Sequence, residues 1–203
     1  MKKLATLFVL FVALASFKHG DHGYHIGNEA ADFKLKNVDG KMVSLADMKD
    51  AKGYIVVFTC NHCPFSKKYE DRIIALDKKY KKQGYPVVAI NSNDPVVSPE
   101  DSYDKMIERA KQKKFSFPYL YDESQTIAKT YGATRTPHVF VLQKNGSVNN
   151  VKYIGAIDDN SDDAKAVTAK YVEQAVDALV AGKEVATTTT KAIGCTIKWK
   201  AAQ

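Results

Sequence analysis

The chain has 203 residues, room for one compact domain with tails. With 45% hydrophobic and 26% charged residues it has the composition of a soluble globular protein able to bury a core. The formal net charge is +7, but many lysines (Lys67, Lys68, Lys78, Lys79, Lys81, Lys82) fall where a solvated helix face is expected, and no stacking aromatics accompany them, so nucleic acid is not an expected partner.

Met1-Lys2-Lys3 is followed by an apolar run from Leu4 to Ala15 that ends in an A-x-A pattern. At about 12 residues the run falls short of the roughly 20 that span a bilayer. Residues 1–15 therefore read as a signal peptide, with a short uncleaved anchor as the alternative. No cysteine near the cleavage point offers a lipid attachment, and no later stretch is long and apolar enough to cross a membrane. The mature protein is expected to be soluble and exported, most naturally to a periplasm, with no stable membrane insertion. Residues 16–26 carry His19, His22 and His25 and read as a polar linker rather than a metal site.

Alternation begins at Phe33-Lys34-Leu35-Lys36, turns at Asp39-Gly40 and resumes at Met42-Val43, which predicts a hairpin. Tyr54 to Thr59 is a continuous β-branched and aromatic run, the pattern of a strand buried on both faces. Phe65, Tyr69, Ile73, Leu76 and Tyr80 form one helical stripe with lysines opposite, stopped by Gly84. Val87 to Asn91 is a second buried strand. Ser98-Pro99-Glu100-Asp101 opens a helix with core face Tyr103, Met106, Ile107 and Ala110. Pro118 to Tyr121 is a short strand, Ser124 to Tyr131 a short helix, and His138–Leu142 with Asn149–Ile154 flank the turn signal Asn145-Gly146. A last helix carries Val167, Val172, Ala175, Val176 and Leu179. The domain covers residues 27–182, and residues 183–203 form a tail in which Thr187 to Thr190 looks like flexible linker and Trp199 suggests packing back onto the domain. The fold class is α/β, a mixed central sheet flanked by helices, with an N-terminal β-hairpin and an α-β insertion.

The three cysteines carry the chemistry. Cys60 and Cys63 sit where a buried strand gives way to a helix, and a thiolate there faces unpaired N–H groups, which lowers its pKa. Only the thiolate attacks a disulfide, and two intervening residues let Cys63 reach back, so a C-x-x-C beside a β-α-β pattern is a redox signal. His62 would tune the couple if it charges or donates a hydrogen bond. Cys195 reads as a third redox thiol brought near Cys60 by the tail, as an inert buried thiol, or as an intermolecular bridge.

The segment Ala31-Asp32-Phe33-Lys34-Leu35, the run Cys60-Asn61-His62-Cys63-Pro64 and Arg135-Thr136-Pro137-His138-Val139-Phe140 together resemble the redoxin (AhpC/TSA) branch of the thioredoxin-like superfamily, the exported thiol–disulfide oxidoreductases included. The resemblance implies a thioredoxin-like fold, a cis bond at Thr136-Pro137 against Cys60, and thiol–disulfide oxidoreductase activity that needs no cofactor. Its site would have Cys60 as nucleophile, Cys63 as resolver and His62 as modulator, with Thr59, Asn61, Thr136 and Pro137 shaping the substrate groove. The implied partners are cysteine-containing exported proteins and a redox partner. Two departures stand out: Thr59 occupies the place where many relatives carry Trp, a surface Trp199 would have to supply, and Tyr54 stands where thioredoxins bury an acid, leaving the proton acceptor for Cys63 unassigned. Glu70 reads as a surface charge. A thiol peroxidase is the alternative, with Cys63-Pro64 as the peroxidatic pair and Arg135 polarising peroxide, although the expected Thr position holds Cys60. A copper-binding module using Cys60, Cys63 and His62 or His138 is the second alternative.

Overall fold

The computed structural model describes residues 23–201; the signal-like segment, His19 and His22 lie outside the described residues. The strands are β1 (Glu29–Ala30), β2 (Lys34–Asn37), β3 (Met42–Ser44), β4 (Gly53–Phe58), β5 (Val87–Asn91), β6 (Tyr119–Tyr121), β7 (Arg135–Thr136), β8 (His138–Asn145), β9 (Val148–Gly155) and β10 (Cys195–Thr196). The helices are α1 (Pro64–Tyr80), α2 (Tyr103–Lys113), α3 (Thr126–Tyr131) and α4 (Tyr171–Val180). Eight strands form one sheet in the order β1-β9-β8-β4-β5-β6-β2-β3, and β7 and β10 form a separate pair. Within the large sheet β4-β5 and β5-β6 are parallel, whereas β4-β8 and β8-β9 are antiparallel. The mixed sheet is the expected fold class.

β4 is buried along its whole length because it lies at the sheet centre with a core on each face. Ile55 and Val57 face the cluster built with Tyr69, Ile73, Leu76 and Tyr80 of α1, Met106 of α2 and Val172 and Val176 of α4. Tyr54, Val56 and Phe58 face the opposite cluster, with Leu45, Ala128, Tyr131 and Phe140. Each fully buried apolar side chain of the α1 stripe contributes about 1.5–3 kcal/mol relative to exposure. That stripe fixes the helix against the sheet and so fixes where its first turn, with Cys63, must lie.

The structure departs from the sequence expectations in several places. The helix expected to open at Ser98 is a 3-10 turn over Pro99–Asp101, and α2 begins afterwards with Ser102 as its cap residue. The cause is Asp101, whose carboxylate turns inward and accepts from Ser98 Oγ at 2.7 Å instead of serving its own helix. Ile107 is 38% exposed rather than core, because α2 buries the face bearing Met106 and Ala110. Glu70 is buried, not a surface charge: Arg109 grips it with Nε at 2.6 Å and Nη2 at 2.7 Å. The threonine run is not loose linker. Thr188 and Thr190 exchange backbone hydrogen bonds with Ile154, and Thr190 Oγ1 accepts from the Ala156 N–H at 3.0 Å.

Candidate active site

The site forms where three pieces of chain meet: the β4–α1 junction, the segment before β8, and the C-terminal tail. Thr59 continues the β4 pairing through its N–H to the Ile90 carbonyl, and the chain then turns through Cys60, Asn61 and His62 into α1. Cys63 is the cap residue of α1, and Pro64 occupies the first helical position, where the missing N–H costs nothing. The cap residue's carbonyl accepts the first helical bond, from Lys67 N–H at 3.0 Å.

The turn is held from below by Asp101. Its Oδ1 accepts from the backbone N–H groups of Asn61 (2.8 Å) and His62 (2.9 Å), while Oδ2 accepts from Asn93 Nδ2 (2.8 Å) and Ser98 Oγ (2.7 Å). The carboxylate is 1% exposed, so these four donors replace the water it has lost. Asn61 is spent internally: its amide donates to the Glu100 carbonyl and accepts from the Tyr119 hydroxyl. Thr59 and Asn61 are both buried and do not present their side chains at the surface, whereas His62 is exposed.

The Thr136–Pro137 peptide bond is cis. Thr136 lies against both cysteines: the Cys60 thiol donates to Thr136 Oγ1 at 3.4 Å, and Cys63 Sγ is 3.3 Å from the Thr136 carbonyl oxygen. The disulfide, however, joins Cys63 to Cys195, with a Cα–Cα separation of 6.1 Å, and Cys60 is a free, buried thiol. The expected Cys60–Cys63 bond is not the one present. The tail brings Cys195 into the site, and its bond is to Cys63 rather than to Cys60. It gets there because β10 pairs antiparallel with β7, in register Cys195 with Thr136 and Thr196 with Arg135.

The expected ready ionisation of Cys60 is reversed in this arrangement. Burial pushes its thiol up from the usual cysteine range, and the charge of Asp101 pushes the same way. The Thr136 hydroxyl, the Cys63 N–H and the Ser66 hydroxyl oppose this without prevailing. The helix start supplies a donor, as the sequence suggested, but desolvation outweighs it.

The remaining candidates fall elsewhere. Arg135 is exposed and donates to the Gly194 carbonyl at 3.3 Å. His138 is buried, accepts from the Thr134 N–H through Nδ1, and is pushed down to about 4 by burial. Trp199 packs near Lys129, whose ammonium lies 5.9 Å from the ring centroid, on α3. Tyr54 donates to the Leu45 carbonyl at 2.8 Å, on the face away from α1. Among the described residues no group of three or more His, Cys, Asp or Glu side chains is placed to hold a metal.

Asp101 is the residue sequence reasoning missed. Its cap-like context hid it, although an acid next to a Pro turn that precedes a second helix was visible.

The AhpC/TSA family model matches residues 26–172. The thiol-disulfide oxidoreductase ResA of Bacillus thuringiensis subsp. konkukian is 29% identical over 123 residues, covering 61% of this chain and 66% of that protein. The chain thus spans a little under two thirds of the length of that curated relative. The crystal structure of an uncharacterized conserved protein from Geobacillus kaustophilus superposes with a TM-score of 0.81 at 38% identity, over 88% of this chain and 94% of that one. A putative thiol:disulfide interchange protein DsbE from Chlorobium tepidum shares the fold, with a TM-score of 0.52 at 24% identity over 63% of this chain and 85% of its own. The matched span contains the Cys60–Cys63 turn, the cis-proline segment and the whole central sheet; the chain belongs to the AhpC/TSA family, within the redoxin branch of the thioredoxin-like superfamily.

Proposed function

We propose that the protein is a thiol–disulfide oxidoreductase acting on cysteines of exported proteins through Cys60-Asn61-His62-Cys63. The observation that carries the reading is the meeting of both cysteines with one residue, Thr136, directly before a cis proline. In the reduced protein the Cys60 thiolate attacks one sulfur of a substrate disulfide, which releases the other substrate sulfur as a thiolate that takes up a proton. Cys63 then attacks Cys60 Sγ, frees the second substrate thiol and leaves a Cys60–Cys63 disulfide. Two electrons pass from the protein to the substrate, and a redox partner restores them. The Thr136 hydroxyl supports Cys60 as it ionises, and the Thr136 carbonyl accepts from the Cys63 thiol until resolution. The ResA relative, named a thiol-disulfide oxidoreductase, supports the reaction class. The signal-like N-terminus supports export, most naturally to a periplasm, and no described helix is long and apolar enough to cross a membrane.

The test is disulfide reduction of insulin by the reduced protein. Cys60→Ser abolishes it, and Cys63→Ser accumulates mixed disulfides with the substrate. If both variants keep wild-type activity, the assignment fails. Equilibration with glutathione then fixes the direction of electron flow, with about −120 mV marking an oxidant and about −270 mV a reductant.

A further inference from the structure

We propose that Cys195 is a third exchanging cysteine, carried on a tail strand that occupies the substrate edge of the site until Cys60 displaces it from Cys63. This rests on the exchange chemistry proposed above and adds an internal occupant to the site.

Three independent features of the tail carry it. First, β10 lies antiparallel on β7 with Cys195 opposite Thr136, so the tail presents a cysteine in an extended strand to the backbone before the cis proline. An extended polypeptide carrying a cysteine would add itself to the same edge in the same way. Second, the fit is close: a Cβ at Gly194 would collide with the carbonyl of Thr136 and crowd the nitrogen of Pro137. Only glycine allows that approach. Third, the strand is anchored mainly on either side, with only the β7 pairing and one hydrogen bond from the exposed Arg135 to the Gly194 carbonyl within the arc itself. Beyond it, Ile197 is buried, Lys198 N–H donates to Asn93 Oδ1 at 2.9 Å and the Lys198 carbonyl accepts from Asp94 N–H at 2.8 Å. Before it, Thr188 and Thr190 are bonded to Ile154. The arc between, from 191 to 196, is exposed or half-buried, and its two paired residues are too few to hold a strand without the disulfide.

The three sulfurs surround Thr136. Cys60 contacts its hydroxyl, Cys63 its carbonyl, and Cys195 is its strand partner. The step between the two linkages is an exchange. Cys60 gives up its proton, and its sulfur attacks Cys63 Sγ. The Cys63–Cys195 bond breaks as the Cys60–Cys63 bond forms, and Cys195 leaves as a thiolate that takes up a proton. One disulfide and one thiol exist before and after, so no electrons enter or leave and no external oxidant is needed. Release of Cys195 frees the arc, and the backbone of Arg135 and Thr136 becomes available to an incoming cysteine-bearing segment.

The experiment maps disulfides in the full chain by mass spectrometry after oxidation with glutathione disulfide, acid quenching and alkylation. The wild type is expected to hold both intramolecular linkages, Cys63–Cys195 and Cys60–Cys63, interconverting after a pH jump from acid to neutral. Cys60→Ser is expected to hold Cys63–Cys195 alone, without exchange. The proposal is overturned if the oxidised wild type contains only Cys60–Cys63 with Cys195 fully alkylated, or if Cys195 is linked only between chains. It is equally overturned if both linkages form but never interconvert. These outcomes are separate from failure of the proposed function, which is read from insulin: exchange between the linkages with no insulin reduction refutes the function and leaves the relay.

Discussion

Replacing Asp101 by Asn separates what its hydrogen bonds do from what its charge does. The amide oxygen can still accept the N–H groups of Asn61 and His62 that now share Oδ1. The amide nitrogen, in place of Oδ2, meets the Nδ2 donor of Asn93 and the hydroxyl of Ser98. Ser98 can turn and accept; Asn93 cannot, so one charge-assisted bond becomes a donor facing a donor in a buried place. Such a bond is worth about 1.5–3 kcal/mol. A loss of about 2 kcal/mol lowers the melting temperature of a domain this size by about 4–8 °C. The charge acts in the opposite sense on Cys60. Asp101 is the second cause, after burial, of the raised thiol, so neutralising it lets Cys60 ionise at lower pH. The assay is thermal unfolding together with iodoacetamide alkylation of Cys60 across pH, in protein prepared at acid pH with the Cys63–Cys195 link and sampled at short times after each pH jump, before the link exchanges. Stability falls while the midpoint of the alkylation profile moves down. A loosened turn would raise alkylation at every pH without moving the midpoint. An unmoved midpoint with unchanged melting refutes the role given to Asp101.

Two further perturbations probe the tail and the core. Gly194→Ala drives a Cβ into the Thr136 carbonyl; overpacking of this kind costs about 1–3 kcal/mol, and each 1.4 kcal/mol shifts the ratio of Cys63–Cys195 to Cys60–Cys63 about tenfold toward the latter, read by the same peptide mapping. His138 is held neutral by burial, down to about 4 from the ordinary histidine value of 6.5, so the unfolded chain binds its proton first as pH falls. Its contribution is complete above pH 6.5 and is lost progressively as pH drops from 6.5 toward 4, amounting to about 3 kcal/mol at most. Denaturant midpoints across that range should show a slope that His138→Gln flattens, and an equal slope in both proteins rules this out.

Much of this was legible in the chain because it is local. The apolar run of β4, the four-four-three-four stripe of α1 and the two turn signals each follow from spacing within a dozen residues. The same holds for Cys60 and Cys63 at the strand–helix boundary, and resemblance carried the cis proline. What escaped depends on residues far apart. Asp101 sits in a sequence with every mark of a helix start, and nothing local says that two N–H groups about forty residues earlier have a stronger claim on it. Glu70 lies on a lysine-rich helix and reads as exposed until Arg109, 39 residues on, is packed against it. The partner of Cys195 was beyond reach for a stricter reason, since spacing alone does not determine which cysteines pair.

The two features that hold Cys60 quiet also give the exchange its direction. While Cys195 is bonded to Cys63, the one free sulfur is 3% exposed beside a carboxylate that four donors fix in place. Negative charge there is costly, so attack on Cys63 is slow until pH rises or the turn opens. After exchange the free sulfur is Cys195, on a half-buried strand at an edge, with the arc before it reaching solvent. A thiolate is better solvated in that position, so the step moves the charge from a buried place next to Asp101 to an accessible one. The carboxylate that shapes the Cys60 turn is thereby also a brake on it, and the brake is released when the tail takes the sulfur's charge outward. On this account the helix start is not what activates Cys60. Its donors are present in the docked form, and burial and the charge of Asp101 outweigh them.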